Sequence, residues 1–391
     1  MRDFIKNLLP NRLRKALIPV LHFRFFSKIE SLIFYISFKT RKENHAAKKK
    51  ALFYISQTNP TRRLFQIFSH FLYCGYSCCF DISFAEFMKL DRYGKKATAL
   101  KGVYPKNKIS EKYSVIVSDD NKFLENADNE AYKIFINFRI FTHINNVSQN
   151  DFFYPISPHI KYNCPLIEAD ILSKSSLAER KICAVFAGNN SKNSYNKDIT
   201  KKIFGVNTRF EVFSYLLDKL PKNILYIPDT LESFISDIER GYLKEKIVLV
   251  DTSNFEVPSK SYFDILLASS FYIHMCGITY PYCHNQIESM MAGCIPITQF
   301  SNFFVPPFEH EKSGFLYTTL DELVETLIKI STGDYNETIP LMRKNILDYY
   351  YNHYSFDSFN TKLLYLIENK VKHSNYHIVS GSKQILDELL L

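Results

Sequence analysis

The sequence predicts an α/β protein: two doubly wound parallel-sheet domains behind a basic helical arm. Two observations predict the domains and a third the arm. At 391 residues the chain exceeds what one hydrophobic core ordinarily serves. Short apolar strand runs alternate with amphipathic helical runs, the pattern of a parallel sheet with helical crossovers, most clearly over residues 262–298. The charge is confined to one end: residues 1–50 hold 13 Lys/Arg against three acids, leaving 36 Lys/Arg against 37 acids in the remainder. Composition is that of a globular chain, 46% hydrophobic and 23% charged.

The arm is residues 1–48. In it Arg12, Arg14, Lys15, Arg24 and Lys28 alternate with Leu13, Leu17, Ile18, Val20, Leu21, Phe23, Phe25 and Phe26. Basic residues interleaved with large apolar ones suit the surface of an anionic bilayer, where each Lys or Arg contributes about 1 kcal/mol. A basic helix packed on the first domain is the competing reading. Nucleic acid is not an expected partner, because the body of the chain is neutral and carries no recognition motif. No window reaches the roughly 18–20 uncharged apolar residues of a membrane span. Arg24 and Lys28 interrupt the apolar run and no small-residue cleavage site follows, so a cleaved leader is not expected. The eight cysteines form no C-x-x-C pair and sit mostly in apolar runs, which reads as a reduced, cytoplasmic chain.

The first domain spans residues 49–175. KKKALFYIS is a strand, and the loop after it presents Gln57, Thr58 and Asn59, with Arg62 and Arg63 at the start of the helix RLFQIFSHFLYCGY. YSVIVSDD is the next strand and ends on Asp119 and Asp120; AYKIFINFRIF alternates like a third. Residues 145–174, rich in Pro and aromatics, read as a linker and cleft wall.

The second domain spans residues 176–335. KICAVFAGNN is a buried strand ending at Gly188–Asn189, where a glycine lets the backbone approach a phosphate closely. NTRFEVFSYLLDKL is a helix capped by Asn207 or Thr208, with Arg209 in its first turn. Arg209 either points back to the cleft or pairs at the surface with Glu211. ILYIP and KIVLVD are strands, and Ser259 and Lys260 precede the next helix. Lys260 either neutralises a phosphate or is simply solvated. After the strand FYIHM, a loop from Cys276 to His284 leads to a helix starting near Asn285, which would cap it, and carrying Glu288. Ligands of open parallel sheets bind beyond the strands' carboxyl ends, at helix N-termini, where this loop falls. Cys276, Cys283 and His284 lack a fourth ligand at suitable spacing, so a pocket-wall role is preferred to a metal site. Thr319 and Glu322 form a capping box. Residues 336–391 are helical and aromatic, then a polar linker and a short helix, KQILDELLL.

Glu288, Gly293 and the strand Cys294-Ile295-Pro296-Ile297 give a Glu, five residues to a Gly, then an apolar strand containing Pro. This resembles the donor-binding end of GT-B glycosyltransferases, which have two Rossmann-like domains. The GCIPI spelling is most similar to exostosin-type enzymes, and SNFFVPP is similar to alpha-1,3-fucosyltransferases. Tyr154, Pro155 and Pro158 fit a segment that such chains carry before their second domain. The resemblance implies that Glu288 holds the ribose of a nucleotide-sugar and that the last helices return toward the first domain. Where many retaining members carry a second Glu, this chain has Tyr280. The basic residues that fucosyltransferases place in this loop are absent, so the resemblance does not name the donor.

Glycosyl transfer must hold the donor, stabilise the leaving phosphate and deprotonate the acceptor. Donor contacts are expected from Glu288, Asn285, His284, Gly188, Asn189, Arg209, Lys260 and Tyr280. His274 either donates to a phosphate or sugar oxygen or is a buried structural histidine. The base is sought among Asp119, Asp120, His70 and His143, with Asp119 at a strand end preferred on geometry against a turn-capping role. No Asp-x-Asp motif is present, so metal independence is expected, with no cofactor beyond the nucleotide-sugar substrate. The expected function is sugar transfer to a bacterial surface glycan, lipopolysaccharide or capsule, from the inner face of the plasma membrane. The competing reading is a non-catalytic nucleotide-sugar or polyanion-binding protein of the same fold.

Overall fold

The structure is a computed structural model and describes residues 31–41, 49–56, 61–106, 112–139, 144–278 and 280–379. The chain folds into two compact units, Met1–Phe135 and Ile136–Leu391. Most of the arm, Gln57, Thr58, Asn59, His143 and the KQILDELLL segment lie outside the described residues.

In the first unit the strands are β1 (Lys49–Tyr54), β2 (Tyr76–Asp81), β3 (Val103–Pro105), β4 (Val115–Ser118) and β5 (Tyr132–Asn137). These strands run in the order β3-β2-β1-β4-β5, and within the second unit two short strands, β6 (Phe152–Phe153) and β13 (His373–His377), pair in parallel. β1 pairs in parallel with β2 and β4, Ala51 facing both Cys78 and Val115. Strand order therefore reverses beside β1, the switch point of a doubly wound sheet. There Asp119 accepts hydrogen bonds from the Ser56 amide at 2.7 Å and the Ser56 hydroxyl at 3.1 Å, tying the ends of β1 and β4 together. Asp120 caps the helix Asn121–Asn126, the bland role open to a strand-end aspartate.

The helix Thr61–Tyr73 covers the sheet. Its Phe68 and Phe71 meet Phe53 edge-on at 4.9 and 5.1 Å, each burial contributing about 1.5–3 kcal/mol. His70 lies fully buried in this helix and burial pushes its pKa down to about 3, a core histidine and no base. The helix is shorter than the sequence reading: it stops before Cys74, and YSCCFD is β2, a strand the reading missed because buried cysteines stand in for branched apolar residues. Residues 31–39 are helical, with Tyr35 and Phe38 packed on Phe87 and the Arg41 guanidinium donating to the Thr98 and Leu100 carbonyls. Leu32, Ile33 and Ile36 stay exposed on this helix.

In the second unit β7 (Ile182–Gly188), β8 (Leu225–Tyr226), β9 (Ile247–Asp251), β10 (Ser269–Ile273), β11 (Ile295–Thr298) and β12 (Phe315–Leu316) form a parallel sheet in the order β12-β11-β10-β7-β9-β8. β7 is wholly buried, as a central parallel strand should be, and pairs with both β9 and β10. Its fold class is therefore the predicted one, two doubly wound α/β sheets. Helices cover it at Arg209–Lys219, Ser259–Leu267, His284–Met291, Leu320–Thr332 and Ile339–His353, with the predicted Thr319–Glu322 capping box present.

Residues 145–174 belong to this second unit. Tyr154 Oη lies 2.9 Å from Ser358 Oγ, and the buried Glu168 carboxyl accepts from the Phe356 amide at 3.2 Å. β13 was expected to be a polar linker. It forms because its polar groups find Asp151, which accepts from the Asn375 amide at 2.8 Å and lies 3.2 Å from His377 Nε2. Arg180 donates to the carbonyls of Ser175, Leu266, Ser269 and Ala292, gathering the C-terminal ends of three helices around one cation. Gly293 ends the helix His284–Met291 at φ +72°, a conformation that strains other residues, so the chain turns straight into β11.

Candidate functional site

In the second sheet strand order reverses between β7, whose successors run toward β8, and β10, whose successors run toward β12. A crevice is expected beyond the carboxyl ends of these strands. A cavity of about 570 Å³ lies there, lined by Gly188 and Asn189 after β7, residues 252–257 after β9, and Cys283, His284, Asn285 and Glu288. The helices Ser259–Leu267, Arg209–Lys219 and His284–Met291 all begin at its wall, and their first amides carry partial positive charge.

Arg209 forms the cationic floor. It is 2% exposed. Its Nε donates to the Cys276 carbonyl at 2.9 Å, Nη1 to the Asn189 carbonyl at 2.9 Å and Nη2 contacts Cys283 Sγ at 3.1 Å. The Tyr195 ring lies 4.0 Å from the guanidinium carbon. Among the described residues no carboxylate pairs with Arg209, and Glu211 is instead the capping-box partner of Thr208. The surface pairing is thus corrected. Burial pushes the Cys283 thiol up, but the Arg209 cation and His284 outweigh it and hold the pKa below its ordinary value. Gly188 is needed for closeness: a Cβ there would stand 3.2 Å from Asn285 Nδ2 and 3.4 Å from Arg209 Nη1.

Glu288 is the anionic wall. It is 1% exposed, yet lines the cavity. Oε1 accepts from the His159 amide at 2.7 Å, across 129 residues of sequence, and Oε2 lies 3.2 Å from His284 Nδ1. Burial would raise the carboxyl's pKa; His284 and the His159 amide together hold it below the ordinary value. The His284 side chain is 37% exposed. Burial opposes its cation, and Glu288 outweighs burial and raises its pKa. One cavity thus offers a buried guanidinium and an ionised carboxylate, each held rigidly by the backbone.

Within the second unit the structure brings Glu288, Asn285, His284, Gly188, Asn189 and Arg209 together and leaves His274, Lys260 and Tyr280 outside the cavity wall. His274 is sealed in the core, Nε2 3.3 Å from Ser289 Oγ, and burial drives its pKa down to about 3. It is the structural histidine, because the backbone there continues the strand by donating to the Ile297 carbonyl. Lys260 is exposed in the first turn of the helix Ser259–Leu267 and is not part of the cavity wall; Lys161 reaches its neighbour Ser259 instead, at 3.1 Å. Tyr280 turns away, its carbonyl accepting from Gly277 at 2.8 Å and its ring 6.0 Å from Phe204. Asp119 stands at the switch point of the first sheet.

Asn285 is not the helix cap. Cys283 holds that position, and Asn285, one residue inside the helix, donates to the Ala187 carbonyl at 2.8 Å and to Tyr272 Oη at 3.2 Å. The sequence reading missed Gln286, fully buried, which accepts from the Cys283 amide at 3.1 Å and donates to the Pro281 carbonyl at 2.9 Å, fixing the loop. It placed His159 and Tyr162 only within the 145–174 cleft wall, and it missed Tyr195 and the 252–257 loop. The last was findable: it follows the buried strand β9, which flanks the switch point. Among the described residues no His, Cys, Asp and Glu side chains cluster as a metal site, and no helix is long and apolar enough to cross a membrane.

No protein-family model matches the sequence, and no curated protein matches it. Solved structures match it at low identity. HepE of Anabaena, in complex with UDP, is 11% identical and covers 82% of this chain and 100% of its own, at a TM-score of 0.42. Sucrose-phosphate synthase from Thermosynechococcus elongatus is 9% identical, covering 83% and 99%, at 0.41. WaaG, a glycosyltransferase involved in lipopolysaccharide biosynthesis, is 11% identical, covering 81% and 99%, at 0.34.

Proposed function

We propose that the chain is a glycosyltransferase of the GT-B kind that takes its sugar from a nucleotide-sugar bound in the second unit. One observation carries the reading: a buried guanidinium, with no carboxylate partner among the described residues, and a buried ionised carboxylate share one cavity at a sheet switch point. A buried cation lacking a carboxylate partner is costly unless an anion completes it. A nucleoside diphosphate supplies that anion to Arg209 and the helix starts, and its ribose diol supplies two donors to Glu288. As the glycosidic bond to the donor breaks, charge develops on the leaving phosphate, where fixed donors in a water-poor site are most effective. Asp119 of the first unit is the proposed base. The transfer is proposed to need no metal, so activity should survive chelation by EDTA.

The acceptor is proposed to be a lipid-linked or membrane-proximal bacterial glycan, lipopolysaccharide or capsule, reached from the inner membrane face through residues 1–48. The exposed Leu32, Ile33 and Ile36 support this docking surface. The exostosin-like subtype is proposed on the Gly293–Ile297 spelling and the fucosyltransferase-like one on SNFFVPP, residues 301–307.

The test is release of nucleoside diphosphate from UDP- and GDP-sugars, or of CMP from CMP-sugars, with and without a membrane glycan extract. Turnover of one donor that Arg209→Met abolishes is expected. Tight binding of a nucleotide-sugar without any turnover would instead make this a binding protein of the same fold.

A further inference from the structure

Another cavity of the second unit, about 700 Å³, lies among β6, the turn before it and the helices Ile339–His353 and Phe356–Glu368. We propose that it binds a neutral oligosaccharide at a site separate from the nucleotide pocket. Its volume is that of a ligand site. Two large rings stand at its mouth, Tyr351 on the helix Ile339–His353 at 48% exposure and Tyr365 on the helix Phe356–Glu368 at 59%. A tyrosine presents a flat apolar face and a polar edge, which matches a pyranose ring with its C–H face and equatorial hydroxyls. The Tyr351 hydroxyl reaches Asp357 Oδ2 at 3.5 Å, which orients that ring.

Charge decides the ligand class. The charged groups at the floor are consumed inside the protein: Asp151 accepts from Ser148 and Asn375 and lies beside His377, while Lys362 donates to the Asp151 carbonyl. Asp357, in the first turn of its helix, places a carboxylate on the wall, which opposes an anion. A phosphate or nucleotide is thereby disfavoured. A purely apolar ligand is disfavoured too, because Gln149, Asn352 and Thr361 line the same wall with amides and a hydroxyl. Rigid aromatic faces alternating with neutral hydrogen-bonding groups fit a polyhydroxylated, uncharged chain.

The test is calorimetric titration of the full chain with maltohexaose, cellohexaose and chitohexaose, up to about 10 mM. Binding of at least one is expected, weakened at least tenfold in Tyr351→Ala/Tyr365→Ala and retained within about threefold in Tyr365→Phe. The unfolding midpoint of each variant reports that the fold is kept. Absence of binding by all three, or binding unchanged in the double alanine variant, overturns the proposal. Nucleotide titrations run alongside separate the two sites: a chain that binds oligosaccharide but no nucleotide keeps this inference and loses the glycosyltransferase reading.

Discussion

Replacing Glu288 by Gln isolates the charge of the ribose-binding wall with little change of shape. The amide oxygen can still accept the His159 amide proton that Oε1 accepts at 2.7 Å, and the amide nitrogen can donate to a neutral His284 Nδ1. The unliganded variant should therefore fold and lose only about 1 kcal/mol, the difference between charge-assisted and neutral hydrogen bonds. Ligand binding should suffer more. Hydrogen bonds to a charged group contribute about 1.5–3 kcal/mol, so affinity for the preferred nucleoside diphosphate should fall roughly 10- to 150-fold. At a ligand concentration of 100 Kd the wild type gains about 2.7 kcal/mol; a 30-fold loss leaves about 0.9 kcal/mol. For a unit of this size the ligand-induced rise in Tm should drop from about 5 °C to about 2 °C. Differential scanning fluorimetry with UDP and GDP reads this directly. A well-folded Glu288→Gln chain that binds within about twofold of wild type would refute the assignment.

Other outcomes follow from the same geometry. Arg209→Met should weaken nucleoside diphosphate binding at least tenfold in titration calorimetry while leaving nucleoside binding nearly unchanged, because only phosphates use the guanidinium. The His284–Glu288 pair gives stability a pH window. The raised His284 pKa means its contribution is complete below its ordinary value of 6.5 and is lost as pH rises through the folded value. The lowered Glu288 pKa means its contribution is present above its ordinary value of 4.5 and is lost as pH falls through the folded value. Tm of wild type minus Tm of Glu288→Gln should thus be largest between about pH 4.5 and 6.5 and shrink on both sides, measured by scanning calorimetry. Gly293→Ala should cost about 1–2 kcal/mol in denaturant unfolding, since φ is +72° and a Cβ would stand 3.0 Å from Arg180 Nη2.

Much of the second sheet was legible in the sequence. β7, β9 and β11 are continuous apolar runs closed by Asp, Gly or a polar turn, and the helix His284–Met291 is bounded by a loop before it and Gly293 after it. That spacing places Glu288 near a strand's carboxyl end without any coordinates. Which way a strand-end residue turns is not in the local pattern. His274 and Glu288 both follow β10, yet one is held inward by Ser289 and the other faces the cavity, and only packing decides. The local pattern leaves Arg209 between a cleft contact and a surface pair with Glu211, because its burial depends on Cys276, Asn189 and Cys283, distant in sequence. β13 was illegible because a strand of alternating His, Ser and Asn is stabilised by one buried carboxylate, Asp151, more than 220 residues earlier.

The central claim is that one cavity grips a nucleoside diphosphate from both ends. A crystal structure of the chain with whichever of UDP or GDP binds more tightly tests it most directly. The account predicts ribose hydroxyls within hydrogen-bond distance of Glu288, and phosphates over Arg209 and the start of the helix His284–Met291. A nucleotide seated elsewhere, or a 570 Å³ cavity still empty at saturating ligand, would contradict it.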